Sequence, residues 1–354
     1  MKKIMTRLLS LVLLGAFIPS FVLAETWDLG KGDITVTATE TSQTVSQVNG
    51  ETKDDPDPVI TSSGTTSNTV TITAAENATA NVTLENVNIN TGEAAITTSG
   101  KGDVNIELDG TNTVQSGTNH AGVEKNSTGT LTIKDENNNK GSLTATGSSG
   151  GAGIGGGEDG SGSYITIEGG TVKANGGYGA AGIGGGFAGA GSEITVSGGN
   201  VEAQGGEDGA GIGSGFNAGG NGATNIKIEG GNVTAKGGEN AAGIGGGSYA
   251  SGTNIEITNG KVTATGGKNG AGIGGGKGSN GTGITVSGGE VTATGGNWGA
   301  GIGGGNGGSG TDIEITGGIV AATGGAQGAG IGGGDAQSGN DITITGGEII
   351  ANGG

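Results

Sequence analysis

Apolar residues in this chain recur in a fixed order. A segment I-x-I/V is followed by G/N-G-x-V-x-A-x-G-G and then by an isolated isoleucine in A-G-I-G-G-G. That isoleucine stands at Ile154, Ile183, Ile244, Ile273, Ile302 and Ile331, with a G-I-G-S-G variant at Ile212; the successive steps are 29, 29, 32, 29, 29 and 29 residues. Ile165-Thr166-Ile167 and Val262-Thr263-Ala264-Thr265 alternate with period two. This predicts short half-buried strands whose Ile, Val and Ala point inward and whose Thr point outward. Ile96 and Val123 keep the same beat upstream, at steps of 27 and 31 to Ile154, with Val104-Asn105-Ile106 and Leu131-Thr132-Ile133 in the place of I-x-I. Nine units thus run from Ile96 to Ile331, and an earlier, less regular one surrounds Ile60, after the Asp/Pro-rich loop Lys53 to Pro58.

Three short strands per unit, joined by glycine-containing bends, predict one coil of a β-helix. One coil has too few apolar residues to fold alone, but stacked coils place Ile on Ile and Val on Val at a spacing of about 4.8 Å. The expected fold is therefore all-β: a single parallel β-helix (β-solenoid) of about 29 residues per rung, right-handed by the crossover rule. The 32-residue step should carry its three extra residues in a loop around Phe216 to Ala223. The pattern divides the chain into a leader (1–24), an N-terminal cap with first irregular strands (25–58), less regular rungs (59–150) and glycine-rich rungs (151–354). The next A-G-I would fall six residues beyond Gly354, which suggests a piece of a longer protein.

Composition changes this picture little. Ninety glycines in 354 residues would argue for disorder without a period, and the regular Ile and Val positions reverse that reading. Lys2, Lys3 and Arg7 precede the apolar stretch Leu8 to Phe17, and Val22-Leu23-Ala24 offers a cleavage site after Ala24. This is the pattern of a signal peptide, so a secreted or cell-surface location is expected. No stretch of the mature chain reads as a membrane span, and no cysteine is present to form a disulfide. After cleavage, twelve lysines, no arginine and 33 carboxylates leave a formal net charge of −21. Such a surface repels nucleic-acid phosphates.

The stretches TWDLGKGDITV (Thr26 to Val36), DVNIELDGTNTV (Asp103 to Val114), HAGVEKN (His120 to Asn126), LTIKDENN (Leu131 to Asn138) and the AGIGGG run give the chain a family likeness. It resembles the glycine-rich β-helical repeat proteins secreted or displayed by Gram-positive bacteria, a carbohydrate-binding-domain-containing family. The resemblance implies a β-helix and non-catalytic polysaccharide binding, and assigns no binding residue by motif.

Catalytic constellations are scarce. His120 is the only histidine, which excludes multi-histidine metal sites and a histidine-centred triad; it reads as a solvated turn residue. No G-x-S-x-G elbow is present, and the G-x-G-x-x-G matches lack a following helix. No lysine is recognisable beside a carboxylate cluster on adjacent rungs, and no Asp group recurs at equivalent rung positions. The chain is therefore read as no enzyme. Calcium is the one cofactor considered, with Asp103, Glu107 and Asp109 as candidate ligands; Asp54, Asp55 and Asp57, and Asp135 with Glu136, are further acidic groups. Tyr178, Phe187, Phe216, Tyr249 and Trp298 all lie four or five residues from a motif isoleucine, so they flank one corner. Rings at rung spacing suit successive sugar units of a polysaccharide; alternatively they shield the glycine corner. The competing function is a structural stalk or adhesin segment with no ligand of its own.

Overall fold

The computed structural model describes residues 24–48, 50–136, 140–219 and 222–354. The leader therefore lies, but for Ala24, outside the described residues. The chain winds through three stacked sheets as a parallel β-solenoid of about 11 turns. The I-x-I segments form a 12-stranded sheet from Thr26–Asp28 to Gly339–Ile344, and the V-x-A segments a 10-stranded sheet from Asn88–Asn90 to Glu348–Asn352. The isolated isoleucines, each with the following glycine, supply seven strands of a 13-stranded sheet ending at Ile331–Gly332; the other six are N-terminal strands between Ile34 and Lys125. No α-helix occurs among the described residues; a 3-10 turn covers Leu29–Lys31.

Register confirms the unit boundaries read from the sequence. Ile96, Val123 and Ile154 pair in one column, and Val104, Leu131 and Ile165 in another. Ile60 sits in the I-x-I sheet between Trp27 and Leu84, so a rung does precede the regular ones. The long step is local. Ile183 pairs with Ile212 and Ser192 with Thr224, so the offset grows from 29 to 32 residues between those two points.

The core is a set of columns rather than a cluster. Ile165, Ile194, Ile226, Ile255, Ile284 and Ile313 succeed one another at 0% exposure, and Val172, Val201, Val233, Val262 and Val291 form a buried column on the V-x-A sheet. Each rung adds only a few buried side chains, so rung-to-rung stacking carries the stability. Outward charges pair between rungs, with Lys173 Nζ 3.1 Å from Glu202 and Lys261 Nζ 2.9 Å from Glu290. These exposed pairs are worth no more than about 1 kcal/mol each.

The N-terminal edge departs from the repeat. Ile34–Ala38 pairs in parallel with Val70–Ala74 but antiparallel with Gln43–Gln47, which in turn pairs antiparallel with Lys53–Asp54. This folded-back ribbon covers the first strand edge, where an open ladder would otherwise recruit another chain. Asp55 locks it in place. Fully buried, it accepts Trp27 Nε1 at 2.8 Å and the Glu25 amide at 3.1 Å.

Candidate binding surface

The aromatic residues stand in the turns on either side of the Ile-Gly strand. The turns are laced across rungs: the Phe216 amide donates to Gly179 O (2.7 Å), the Ser248 amide to Asp208 O (2.9 Å) and the Lys277 amide to Asn240 O (2.8 Å). An amide ladder runs beside them, in which Asn240 Nδ2 donates to Asp208 Oδ1 (2.8 Å), Asn269 Nδ2 to Asn240 Oδ1 (2.6 Å) and Asn306 Nδ2 to Asn269 Oδ1 (3.0 Å). On this support Phe187 and Phe216 pack with centroids 5.2 Å apart, tilted by 37°, and Phe216 meets Tyr249 edge-on at 6.1 Å. Three of the five expected aromatics thus join into one ridge across three successive rungs.

Each ring uses the ridge differently. Phe187 is half-buried and lies over Gly179, where a Cβ would come within 2.4 Å of the ring. Tyr249 is 51% exposed and carries Lys277 Nζ 5.8 Å from its ring centre. Tyr178 is likewise exposed, in the turn preceding Ile183. Trp298 stands two rungs beyond Tyr249, under Lys268 Nζ at 4.9 Å from its ring centre. The rings therefore both cover the glycine corner and leave tyrosine faces in solvent.

The acidic residues are placed otherwise than the calcium reading requires. Asp103, Glu107 and Asp109 share one strand, Asp103–Asp109, and project from the same face. Six residues of extended chain separate the first from the last by about 20 Å, so they cannot converge on one ion. Asp103 Oδ1 accepts the Thr130 amide at 2.7 Å and Glu107 Oε1 the Glu136 amide at 2.8 Å. Among the described residues no three His, Cys, Asp or Glu side chains converge on a metal position.

Two negative expectations fail on the I-x-I face. Lys134 is flanked by carboxylates: it pairs opposite Glu107, and its Nζ lies 2.7 Å from Glu136 Oε1. These three line a cavity of about 420 Å³ together with Asp57, Asn81 and Asn105. The cluster escaped notice because its members come from strands 27 residues apart and a loop. Its electrostatics do not suit a lysine base. The hydrogen bond to Glu136 raises the Lys134 pKa and keeps the amine protonated, while desolvation raises that of Glu107. Asp groups do recur on adjacent rungs: Asp312 and Asp341, with Glu314, line a second cavity of about 470 Å³.

Asp312 and Asp341 belong to a column that sequence reasoning missed. Tyr164, Glu193, Asn225, Asn254, Asp312 and Asp341 have φ between 51° and 58°, and residues on both sides of them keep the ladder while they are skipped. These rungs thus carry a bulge that turns one side chain outward, with Gly283 taking the same place between Asn254 and Asp312. The signal was available: Asn, Asp and Gly dominate this one position, the types that tolerate left-handed backbone.

His120 is not simply solvated. Its Nδ1 lies 2.8 Å from Oε2 of Glu124, which is only 8% exposed and also binds the Ala121 amide. The neighbouring Lys125 is 5% exposed, and burial lowers its pKa to about 8. With the folded value below the unfolded 10.5, the unfolded chain binds more protons between the two. Stability should therefore rise from pH 8 to 10.5, by about 3 kcal/mol. Urea titrations across that range check this, and Lys125→Met should flatten the slope.

Seven segments match the beta helix repeat family model: 138–158, 165–187, 194–216, 226–248, 255–277, 284–306 and 313–335. The last six each begin in an I-x-I strand and end just past the next Ile-Gly strand, so each takes in strands of all three sheets in one coil of the observed solenoid. The chain is a β-helical repeat protein. No curated protein and no solved structure matches it, and no helix among the described residues is long and apolar enough to cross a membrane.

Proposed function

We propose that this protein is an exported β-helical rod that binds a polysaccharide without cleaving it, along the corner bearing Phe187, Phe216 and Tyr249. The observation that carries the reading is the ridge itself. In a chain with only 3% aromatic residues, three rings meet on consecutive rungs, and the Tyr249 face among them is exposed. A rung repeat of about 4.8 Å is close to the length of one pyranose unit, so an extended glycan can lie along the stack in register. The basic n-region and apolar stretch at the N-terminus support export. The non-catalytic part rests on Lys134, which is held protonated beside Glu136.

The test is a glycan array probed with the mature chain, with and without Ca²⁺, beside the double variant Phe216→Ala/Tyr249→Ala. Wild type should retain at least one polysaccharide under either condition. The variant should lose about tenfold or more, since each of the two rings removed is worth about 0.5–1.5 kcal/mol. If binding occurs only with Ca²⁺, a cation site not formed by the ridge is responsible. If no glycan is retained at all, the rod is a stalk or adhesin segment.

A further inference from the structure

Among the described residues, Lys125 is the one lysine that the solenoid draws into its wall. It ends the short strand Val123–Lys125, all three residues of which are buried. Its strand partner on the preceding rung is Thr98, and two residues past Ile154 the corresponding place is taken by Gly156. An added Cβ at Gly156 would lie 1.9 Å from Gly160 O, so no side chain can stand at that place. Its Nζ donates to Ser127 O at 2.7 Å, and the Ser127 hydroxyl is tied to Thr98 Oγ1 at 3.1 Å. The amine is thereby fixed rather than free to sweep solvent.

The fixed amine borders a cavity of about 310 Å³, lined also by Asn126, Thr128, Ser161, Ser163 and Tyr164. This is the size of a small-ligand site. Its hydroxyls suit a polyol, and the left-handed bulge presents the half-exposed Tyr164 ring beside it. No carboxylate lines the cavity; Asp103 acts on the amine through space but only partly offsets desolvation. A nucleophilic amine needs these features: a fixed position, a free-base fraction at neutral pH and room for an electrophile.

We infer that Lys125 is a reactive amine that condenses with small hydroxyaldehydes, open-chain aldoses among them, in the Tyr164 cavity. Neutral Nζ attacks the carbonyl carbon, forming a C–N bond, and the oxygen takes up one amine proton. The carbinolamine then loses its hydroxyl together with the remaining N–H hydrogen as water, leaving an imine. No oxidant or reductant is required. The site does not depend on the aromatic ridge or on glycan binding there.

The experiment uses the full mature chain, glycolaldehyde and cyanoborohydride to trap the imine, followed by peptide mapping. At pH 7.4 an amine of pKa about 8 is neutral in roughly one molecule in five, against about one in a thousand for an ordinary lysine. Lys125 should therefore be modified at least tenfold faster than the median of the other eleven lysines. Its rate should level off above pH 8 while theirs continue to rise. Lys125→Met should remove that one labelled peptide and leave the others unchanged. Modification of Lys125 no faster than that of the exposed lysines would show a sealed structural amine and overturn the inference.

Discussion

Replacing Gly213 by alanine is expected to cost more than about 4 kcal/mol and to split the unfolding of the rod into separate transitions. Gly213 has φ +138°, and an added Cβ would lie 2.0 Å from Gly245 O on the next rung and 3.0 Å from the Ala223 Cβ. That oxygen also accepts the Ser214 amide at 3.1 Å. Relieving the clash therefore means parting the rungs and giving up a ladder hydrogen bond. Gly307→Ala is the control, because Gly307 has φ +72° but nothing within 4 Å of the added atom. It should cost about 1 kcal/mol, the backbone strain alone. Denaturant unfolding followed by circular dichroism measures both. Equal costs would mean that conformational freedom, not close approach of rungs, explains the glycine of each Ile-Gly strand.

That contrast explains how much of the fold was legible. The columns of Ile and Val repeat at a fixed step, and stacking in a solenoid converts sequence period directly into spatial register. Even Val123 and Leu131, outside the glycine-rich part, could be placed by pattern. The inserted residues after Phe216 were legible for the same reason, because a changed step must be absorbed in a bend. The glycines looked uniform, yet Gly213 faces a neighbouring rung and Gly307 faces solvent. A sequence shows where a side chain is missing but not what would have met it.

The candidate sites were less legible, because their geometry depends on which turn meets which. The ridge was expected from the positions of five aromatics; the structure joins Phe187, Phe216 and Tyr249 and leaves Tyr178 and Trp298 apart. Asp55 looked like a calcium-loop carboxylate but serves the Trp27 indole and the Glu25 amide in the N-terminal ribbon. Nothing in the sequence pattern marks Lys125 and Glu124 as buried, at 5% and 8% exposure. Glu124 packs against Gly157 on the following rung, where a Cβ would sit 2.9 Å from its Oε2. Charge is visible in a sequence, whereas desolvation is a property of the neighbours.

Ile244→Ala should destabilise the rod by about 2–5 kcal/mol, and the damage should stay local. Ile244 is fully buried between Ile212 and Ile273 in the Ile-Gly sheet. Removing most of its side chain leaves a void that stiff β-ladders on three sides cannot collapse to fill. In a globular domain such a loss lowers the stability of the whole. Here each rung contacts chiefly its neighbours, so hydrogen exchange should accelerate in the rungs of Ile212, Ile244 and Ile273 and remain slow around Val104 and Ile106. Ile212→Ala combined with Ile244→Ala should cost a different amount from the sum of the single changes, since the two voids merge. Ile319→Ala, at a position 55% exposed, should stay within about 0.5 kcal/mol of wild type. Uniform acceleration of exchange along the rod would show that it unfolds as one cooperative unit, and the rung-by-rung account of its stability would then fail.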